Sequence, residues 1–260
     1  MMNTKNLKVV ILCGGLGTRL REETTFKPKP LVEIGNKPIL WHIMKIYSHF
    51  GYNDFILCLG YKGEMIRKYF LDYNSLVNDI TINTRTREIT FHNSDVDDWN
   101  VTLVDTGAMT NTGGRIKRVE KYIDEELFLA TYGDGVADID IDALVNFHLS
   151  HKKVATLTGL HPISKFGILE LDKQGIVTYF KEKPPMKEWV SGGFFVFNRK
   201  MFDYLDENSI LEREPMVKLV VDQQLAVYQH PGFWGCMDTY KDVEHLRNIW
   251  IETKKWKIWD

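Results

Sequence analysis

Leu12-Cys13-Gly14-Gly15-Leu16-Gly17-Thr18-Arg19-Leu20 is the stretch of this 260-residue chain whose residue types and spacing most plainly suit chemistry. Three glycines in four positions permit positive φ and let backbone approach a ligand closely. Successive N–H groups can then cradle phosphate oxygens, as a nest or a helix N-terminus does. The stretch is not a dinucleotide fingerprint, because Leu20 stands where GxGxxG needs its last glycine. It is not a Walker A loop either, since no Lys-Ser/Thr follows its final glycine. What it has instead is Arg19, a guanidinium able to clamp a phosphate with paired hydrogen bonds. Alone, the same residues would also make a tight strand–helix turn with a solvated arginine. Phe26-Lys27-Pro28-Lys29-Pro30 adds two lysines, each before a proline, which predicts an extended, stiff segment. Cations held in place suit charge developing on a transferred phosphoryl group.

Two acidic positions follow. Thr131-Tyr132-Gly133-Asp134-Gly135 closes an apolar run, and ligands of open α/β sheets bind beyond the carboxyl ends of strands. Asp134 therefore reads as ligand-facing, or as an Asp-Gly turn. Asp238, at the end of Gly232–Asp238, reads as a second carboxylate or as a helix N-cap. Two carboxylates at one crevice suffice for Mg²⁺, which completes its octahedron with water and substrate phosphates. Lys183 is a third lysine before a proline, next to Glu182. Ser191-Gly192-Gly193-Phe194 either admits a small polar ligand to the backbone or bends the chain into a central strand. The eight histidines show no HxH or HxxxH pairing, and no GxSxG elbow occurs. Trp234, Trp250, Trp256 and Trp259 read as packing residues.

The elements that must position these groups alternate between strand and helix. Lys8–Leu12, Asp54–Leu59, Val101–Val104 and Leu127–Thr131 are short apolar runs of the buried-strand kind. Leu40, Ile43, Met44 and Tyr47 share a helix face, as do Ile141, Leu144, Val145, His148 and Leu149. Gly63–Leu71 predicts another helix, and Thr239 with Asp242 a capping box before a last one. Ile80–Ile82 and Ile89–Phe91 predict a hairpin flap. After residue 153 the chain is β-rich, with Asp172–Gly175 as a turn. The pattern implies an α/β fold, a doubly wound and mostly parallel sheet, with a C-terminal part that extends it and closes a pocket.

Composition narrows the partners. Thirty-three basic against thirty-five acidic side chains argue against a nucleic-acid polymer as the main partner. No apolar run approaches a membrane span, so no membrane partner is expected. The polar start and three scattered cysteines fit a cytoplasmic location and no disulfide scaffold.

Gly14-Gly15-Leu16-Gly17-Thr18-Arg19-Leu20 followed by Lys27-Pro28-Lys29-Pro30 resembles the signature of the sugar-1-phosphate nucleotidylyltransferases. Tyr132-Gly133-Asp134-Gly135 and Glu182-Lys183-Pro184 stand where that family has its metal aspartate and its sugar-phosphate lysine. Pro38–Tyr47, Trp99–Gly107, Thr112–Arg115 and His230–Thr239 are similar to the cytidylyl-transferring branch, so the likeness covers nearly the whole chain. The resemblance implies a Rossmann-like fold of the nucleotide-diphospho-sugar transferase type, as one domain over 1–260. Its nucleotide-binding part would span about 7–152 and its β-rich, sugar-binding part about 153–260. The reaction implied is CTP plus glucose 1-phosphate giving CDP-glucose and pyrophosphate. The nucleotide would be held by Leu12, Cys13, Gly14, Gly15, Leu16, Gly17, Thr18, Arg19, Lys29, Thr110, Arg115 and Gly133. Arg19, Lys29 and Lys183 would be catalytic, Glu182, Lys183 and Gly193 would take the sugar phosphate, and Asp134 and Asp238 would bind Mg²⁺. A homo-oligomer is expected on the same ground. Ser191 and Gly235-Cys236 depart from the family pattern at the sugar side. A pyrophosphorylase for UTP, dTTP or another hexose phosphate is the alternative, and a silent nucleotide-binding subunit is the alternative of another class. The joint presence of Arg19, Lys29, Asp134, Lys183 and Asp238 speaks against the silent subunit.

Overall fold

Lys8–Leu12 forms β1, with Val9 and Ile11 facing one hydrophobic cluster and Val10 and Leu12 the other. A strand buried on both faces reads as an unbroken apolar run, and this is what its sequence shows. The computed structural model describes residues 4–92 and 96–260. The other strands of the main sheet are β2 (Asp54–Leu59), β3 (Asn100–Asp105), β4 (Leu127–Tyr132), β5 (Ala155–Leu160), β6 (Val190–Asn198) and β7 (Leu225–Gln229). Their order is β7-β5-β6-β4-β1-β2-β3. The strands β4, β1, β2 and β3 pair in parallel, as do β5 and β7, while β6 runs antiparallel to both its neighbours. The sheet is thus mostly parallel and continuous from the first part of the chain into the last. Register aligns Leu12 with Cys58 on one side and Tyr132 on the other. The carboxyl ends of β1, β2 and β4 therefore meet at one edge, β2 and β4 leading directly into Gly60 and Gly133 and β1 reaching Gly14 through Cys13.

Helices cover both faces. On α1 (Ile39–His49) the expected face of Leu40, Ile43, Met44 and Tyr47 is wholly buried. It ends at Phe50, and Gly51 turns the chain away at φ +82°. The longer ones that follow are α2 (Gly63–Leu71), α3 (Thr112–Arg118), α4 (Ile141–His151), α5 (Glu214–Val221) and α6 (Tyr240–Glu252), and Arg21–Thr24 and Tyr73–Val77 form short helices. Asp140 caps α4, its carboxylate accepting from the Ala143 N–H at 2.8 Å. Ile141, Leu144, Val145 and His148 of α4 are buried, whereas Leu149 points to solvent. The capping box at Thr239 and Asp242 is present on α6.

Two hairpins stand off this frame. Ile80–Ile82 pairs with Ile89–Phe91, and Ile168–Leu171 with Val177–Lys181. Trp250, Trp256 and Trp259 pack around His42 of α1, as expected of packing residues. Among the described residues no helix is long and apolar enough to cross a membrane.

Candidate functional site

The loop leaving β1 is held open by glycine geometry. Gly17 has φ +62°, and a Cβ there would lie 2.6 Å from the Thr24 methyl. Thr24 pins the loop's far end by donating to the carbonyls of Gly17 and Leu20 at 2.9 and 2.7 Å. Among the described residues none accepts a hydrogen bond from the N–H groups of Gly14, Gly15, Leu16 or Gly17. Four consecutive unpaired donors are free to meet an anion.

The two proline-braced lysines divide. Lys27 reaches outward to Glu33 at 3.6 Å and Glu23 at 4.0 Å. Lys29 turns inward, its Nζ 2.5 Å from Asp134 Oδ2 and 3.0 Å from Asp238 Oδ1. The expected extended segment is only partly so. Pro28 is extended at ψ 148°, but Lys29 opens a single 3-10 turn over Lys29–Leu31, with Pro30 just inside it. Burial alone would lower the Lys29 pKa, yet the two carboxylates outweigh it and hold the pKa above the ordinary lysine value. Arg19 Nη1 lies 3.1 Å from the other oxygen of Asp238. Arg19, Lys29, Asp134 and Asp238 thus form one cluster, drawn from positions 219 residues apart at the extremes.

A small sheet explains why the aspartates meet. Gly135–Ala137 pairs antiparallel with Trp234–Cys236, and the Met237 N–H donates to the Asp134 carbonyl at 2.9 Å. Asp134 and Asp238 flank the same end of that ribbon. The N-cap alternative for Asp238 is removed, since Thr239 fills that position. Both carboxylates bond one nitrogen, so their bonded oxygens lie no farther apart than 2.5 and 3.0 Å laid end to end, about 5.5 Å. A shared magnesium-like ion needs them within about 4.2 Å, which lies inside that limit.

A cavity of about 340 Å³ opens beside this cluster. Leu12, Cys13, Gly14 and Gly15 form one wall, and Lys29, Gly133 and Asp134 its floor. A Cβ on Gly133 would fall 2.9 Å from the Leu12 carbonyl, so only glycine fits there. The Cys13 thiol lies buried in this wall, and burial raises its pKa well above the usual thiol value. It is a packing residue there, not a nucleophile. Thr110, Arg115, Tyr132 and Glu212 close the far side. Leu16, Gly17 and Thr18 continue the loop outside this cavity.

Arg115 has a structural task that sequence reading does not show. Its guanidinium is buried, donating to the carbonyls of Leu59, Gly107, Gly14 and Ala108 at 2.8–3.3 Å and to Thr106 Oγ1 at 2.7 Å. It ties the glycine loop to the ends of β2 and β3. Gly14 and Gly60 leave room for it, for a Cβ on either would strike the guanidinium. Thr110 Oγ1 accepts from Arg118 at 2.9 Å and so keeps its own proton to donate.

Glu212 and Tyr132 were missed by sequence reading. Glu212 accepts from the Tyr132 hydroxyl at 2.5 Å and from Thr112 Oγ1 at 2.7 Å, strapping residues 206–213 across the start of α3. The only sequence signal for this was the pair Gly113-Gly114. Gly114 donates to the Ser209 carbonyl at 3.0 Å, and a Cβ on it would meet the Glu207 carbonyl at 2.3 Å.

Glu182, Lys183 and Gly193 do not join the four-residue cluster. Lys183 ends the outer hairpin with φ +47°, not the extended backbone expected before Pro184. Its Nζ lies 3.8 Å from Glu182, and both side chains are more than half exposed. Gly193, at φ +77°, packs against the Tyr132 ring, where a Cβ would come within 2.4 Å.

The donor set fits a divalent ion of the magnesium kind. Among the described residues no group of three or more His, Cys, Asp or Glu is placed to hold a metal ion. Two carboxylates that already share one cation, beside unpaired loop N–H groups, match an ion that takes its remaining ligands from substrate and water.

Known proteins resemble this chain along nearly its whole length. A family model described as "Nucleotidyl transferase" matches residues 8–250. The glucose-1-phosphate cytidylyltransferase of Salmonella typhimurium is 50% identical over 258 residues, covering 98% of this chain and all of that protein. The crystal structure of HddC from Yersinia pseudotuberculosis complexed with GMP-PN superposes with a TM-score of 0.68 at 21% identity, covering 93% of this chain and 98% of that one. An apo UDP-glucose pyrophosphorylase gives a TM-score of 0.69 at 15% identity, covering 96% and 99%. The last two speak for the fold alone.

Proposed function

Because the chain belongs to the nucleotidyl transferase family, we propose that it transfers CMP from CTP to α-D-glucose 1-phosphate, forming CDP-glucose and pyrophosphate. Identity of 50% across almost the full length of a glucose-1-phosphate cytidylyltransferase supports the substrates. The observation that carries the chemistry is the meeting of Arg19, Lys29, Asp134 and Asp238 beside unpaired loop N–H groups.

The attacking oxygen of glucose 1-phosphate is already anionic at neutral pH, so no general base is needed. The difficulty is to bring one polyanion against another. The N–H groups of Gly14–Gly17 receive triphosphate oxygens. Arg19 and Lys29 lie where they offset charge as the bond to the α-phosphorus exchanges. Asp134 and Asp238 would hold Mg²⁺, which screens the phosphates and orients the leaving pyrophosphate when bound. Positioning supplies the rest of the acceleration, as is usual where little covalent chemistry falls to the protein. Thr110 offers a hydroxyl to the nucleotide, while Arg115 serves it by fixing the Gly14 carbonyl and hence the loop. Lys183, with Glu182 and the backbone at Gly193, receives the sugar phosphate from the C-terminal side. A cytoplasmic homo-oligomer accords with the same reading, and the exposed Ile82, Ile89 and Phe91 of the first hairpin suit a subunit contact.

Pyrophosphate release measured with each of four nucleoside triphosphates and several hexose 1-phosphates tests the assignment. CTP with glucose 1-phosphate should turn over and yield CDP-glucose. Turnover with dTTP and none with CTP would overturn it.

A further inference from the structure

We propose that the Lys29 ammonium acts as an internal stand-in for the divalent ion, closing the Asp134–Asp238 pair to free metal until a nucleoside triphosphate draws Lys29 away. This rests on the reading of those carboxylates as the metal site.

The geometry is that of a bridged pair. One Lys29 Nζ sits 2.5 Å from Asp134 Oδ2 and 3.0 Å from Asp238 Oδ1, and Arg19 takes the remaining Asp238 oxygen at 3.1 Å. Two negative charges therefore meet two positive ones, and the cluster is neutral as it stands. A divalent ion entering it without nucleotide would meet two cations at contact distance. To admit it, the ammonium would have to leave both carboxylates. The Lys29 side chain is only 13% exposed, and among the described residues Asp134 and Asp238 are its only ion-pair partners. An ammonium moved off them inside this crevice loses its counter-charges without regaining full hydration.

A triphosphate changes that balance. Its oxygens lie against the unpaired N–H groups of Gly14–Gly17 and the cavity that Lys29 also lines. They offer Lys29 and Arg19 new anionic partners at the moment an ion takes over the carboxylates. Pro28 and Pro30 hold the backbone on either side, so the exchange is a rotation of the lysine side chain rather than a loop movement. Metal and nucleotide then bind with positive coupling, each raising the affinity for the other by the same factor.

Binding of Mn²⁺ to the enzyme, followed by the electron-spin resonance of the free ion, reads this directly without turnover. Wild-type protein should bind Mn²⁺ weakly alone and about tenfold or more tightly with CTP present, after subtracting the Mn²⁺ that the same CTP holds without protein. Lys29→Met should bind Mn²⁺ alone more tightly than wild type by a similar factor, and Lys29→Met with Asp134→Asn should lose that gain. Equal Mn²⁺ affinity in wild type and Lys29→Met, or a wild-type affinity unchanged by CTP, would overturn the stand-in role while leaving the proposed reaction intact. If Lys29→Met does not fold, as circular dichroism would show, Lys29→Gln, neutral and of similar length, replaces it, and Mn²⁺ affinity equal to wild type in that variant would overturn the stand-in role. Mn²⁺ that fails to bind either protein even with CTP would instead remove the metal site itself.

Discussion

Replacing Arg115 with alanine should loosen the glycine loop before it touches any ligand. The guanidinium makes five hydrogen bonds in a buried position, joining Gly14 to Leu59, Thr106, Gly107 and Ala108. The acceptors left behind are unequal. Leu59 O keeps the Thr106 N–H and hydroxyl at 3.0 and 2.6 Å. Gly107 O and Ala108 O border partly open space, where water can replace the lost donor. Gly14 O keeps only a long 3.4 Å contact from the Tyr61 N–H. One poorly satisfied buried carbonyl, plus the cavity left by the side chain, amounts to about 2–4 kcal/mol. For a chain of this size that lowers the thermal midpoint by roughly 4–16 °C. Arg115→Lys should recover only part of it, because an ammonium cannot reach four carbonyls on both sides of a planar fork. Differential scanning calorimetry checks the midpoint, and steady-state rates check the loop, where KM for CTP should rise in step with the loss. A wild-type midpoint with a raised KM would refute this reasoning and make Arg115 a plain ligand contact.

Five other outcomes follow from the geometry. Asp134→Asn should cut turnover roughly a hundredfold or more while shifting urea stability by no more than about 1 kcal/mol, since the carboxylate is partly exposed. Gly193→Ala should cost about 2–4 kcal/mol by calorimetry, through its positive φ and the Tyr132 ring. Gly175→Ala, with φ +84° but open space around it, should cost about 1 kcal/mol. Burial holds His42 and His148 near a pKa of about 4, so each is neutral when folded but protonates near 6.5 when unfolded. Their stability is then fully present above pH 6.5 and lost as pH falls toward 4, by about 3 kcal/mol each. His42→Gln should flatten the fall in urea stability between pH 7 and 4.5 relative to wild type, and an unchanged slope would contradict the burial of this imidazole. Lys183→Ala should raise KM for glucose 1-phosphate more than KM for CTP in initial-rate measurements, if the outer hairpin carries the sugar side.

Much of the frame was legible because strand and helix leave different periods in sequence. β1 and β2 stand where their apolar runs stood, and α2 spans the predicted Gly63–Leu71. The direction of β6 was not legible, since an apolar strand reads alike in either orientation and only its neighbours decide. The glycine loop was legible because glycine permits backbone that other residues avoid, whereas the extended geometry expected before proline failed at Lys29 and Lys183. The joining of Asp134 to Asp238 was legible only through the family resemblance, because the three-residue strands that bring them together carry no periodic signal. Leu149 faces solvent because it lies at the margin of the α4 stripe, beyond Leu144, Val145 and His148. Glu212 was silent for a related reason. Its importance comes from what the fold sets opposite it, Tyr132 and Thr112, not from its own surroundings in the chain.

The central claim is that distant cations and carboxylates form one phosphate-binding centre. A crystal of the enzyme soaked with CTP and Mn²⁺, with data collected at the manganese edge, tests it most directly. The account predicts one anomalous peak shared by Asp134 and Asp238, with triphosphate oxygens against Gly14–Gly17 and within reach of Arg19 and Lys29. A triphosphate bound elsewhere, or a manganese peak away from either aspartate, would contradict it.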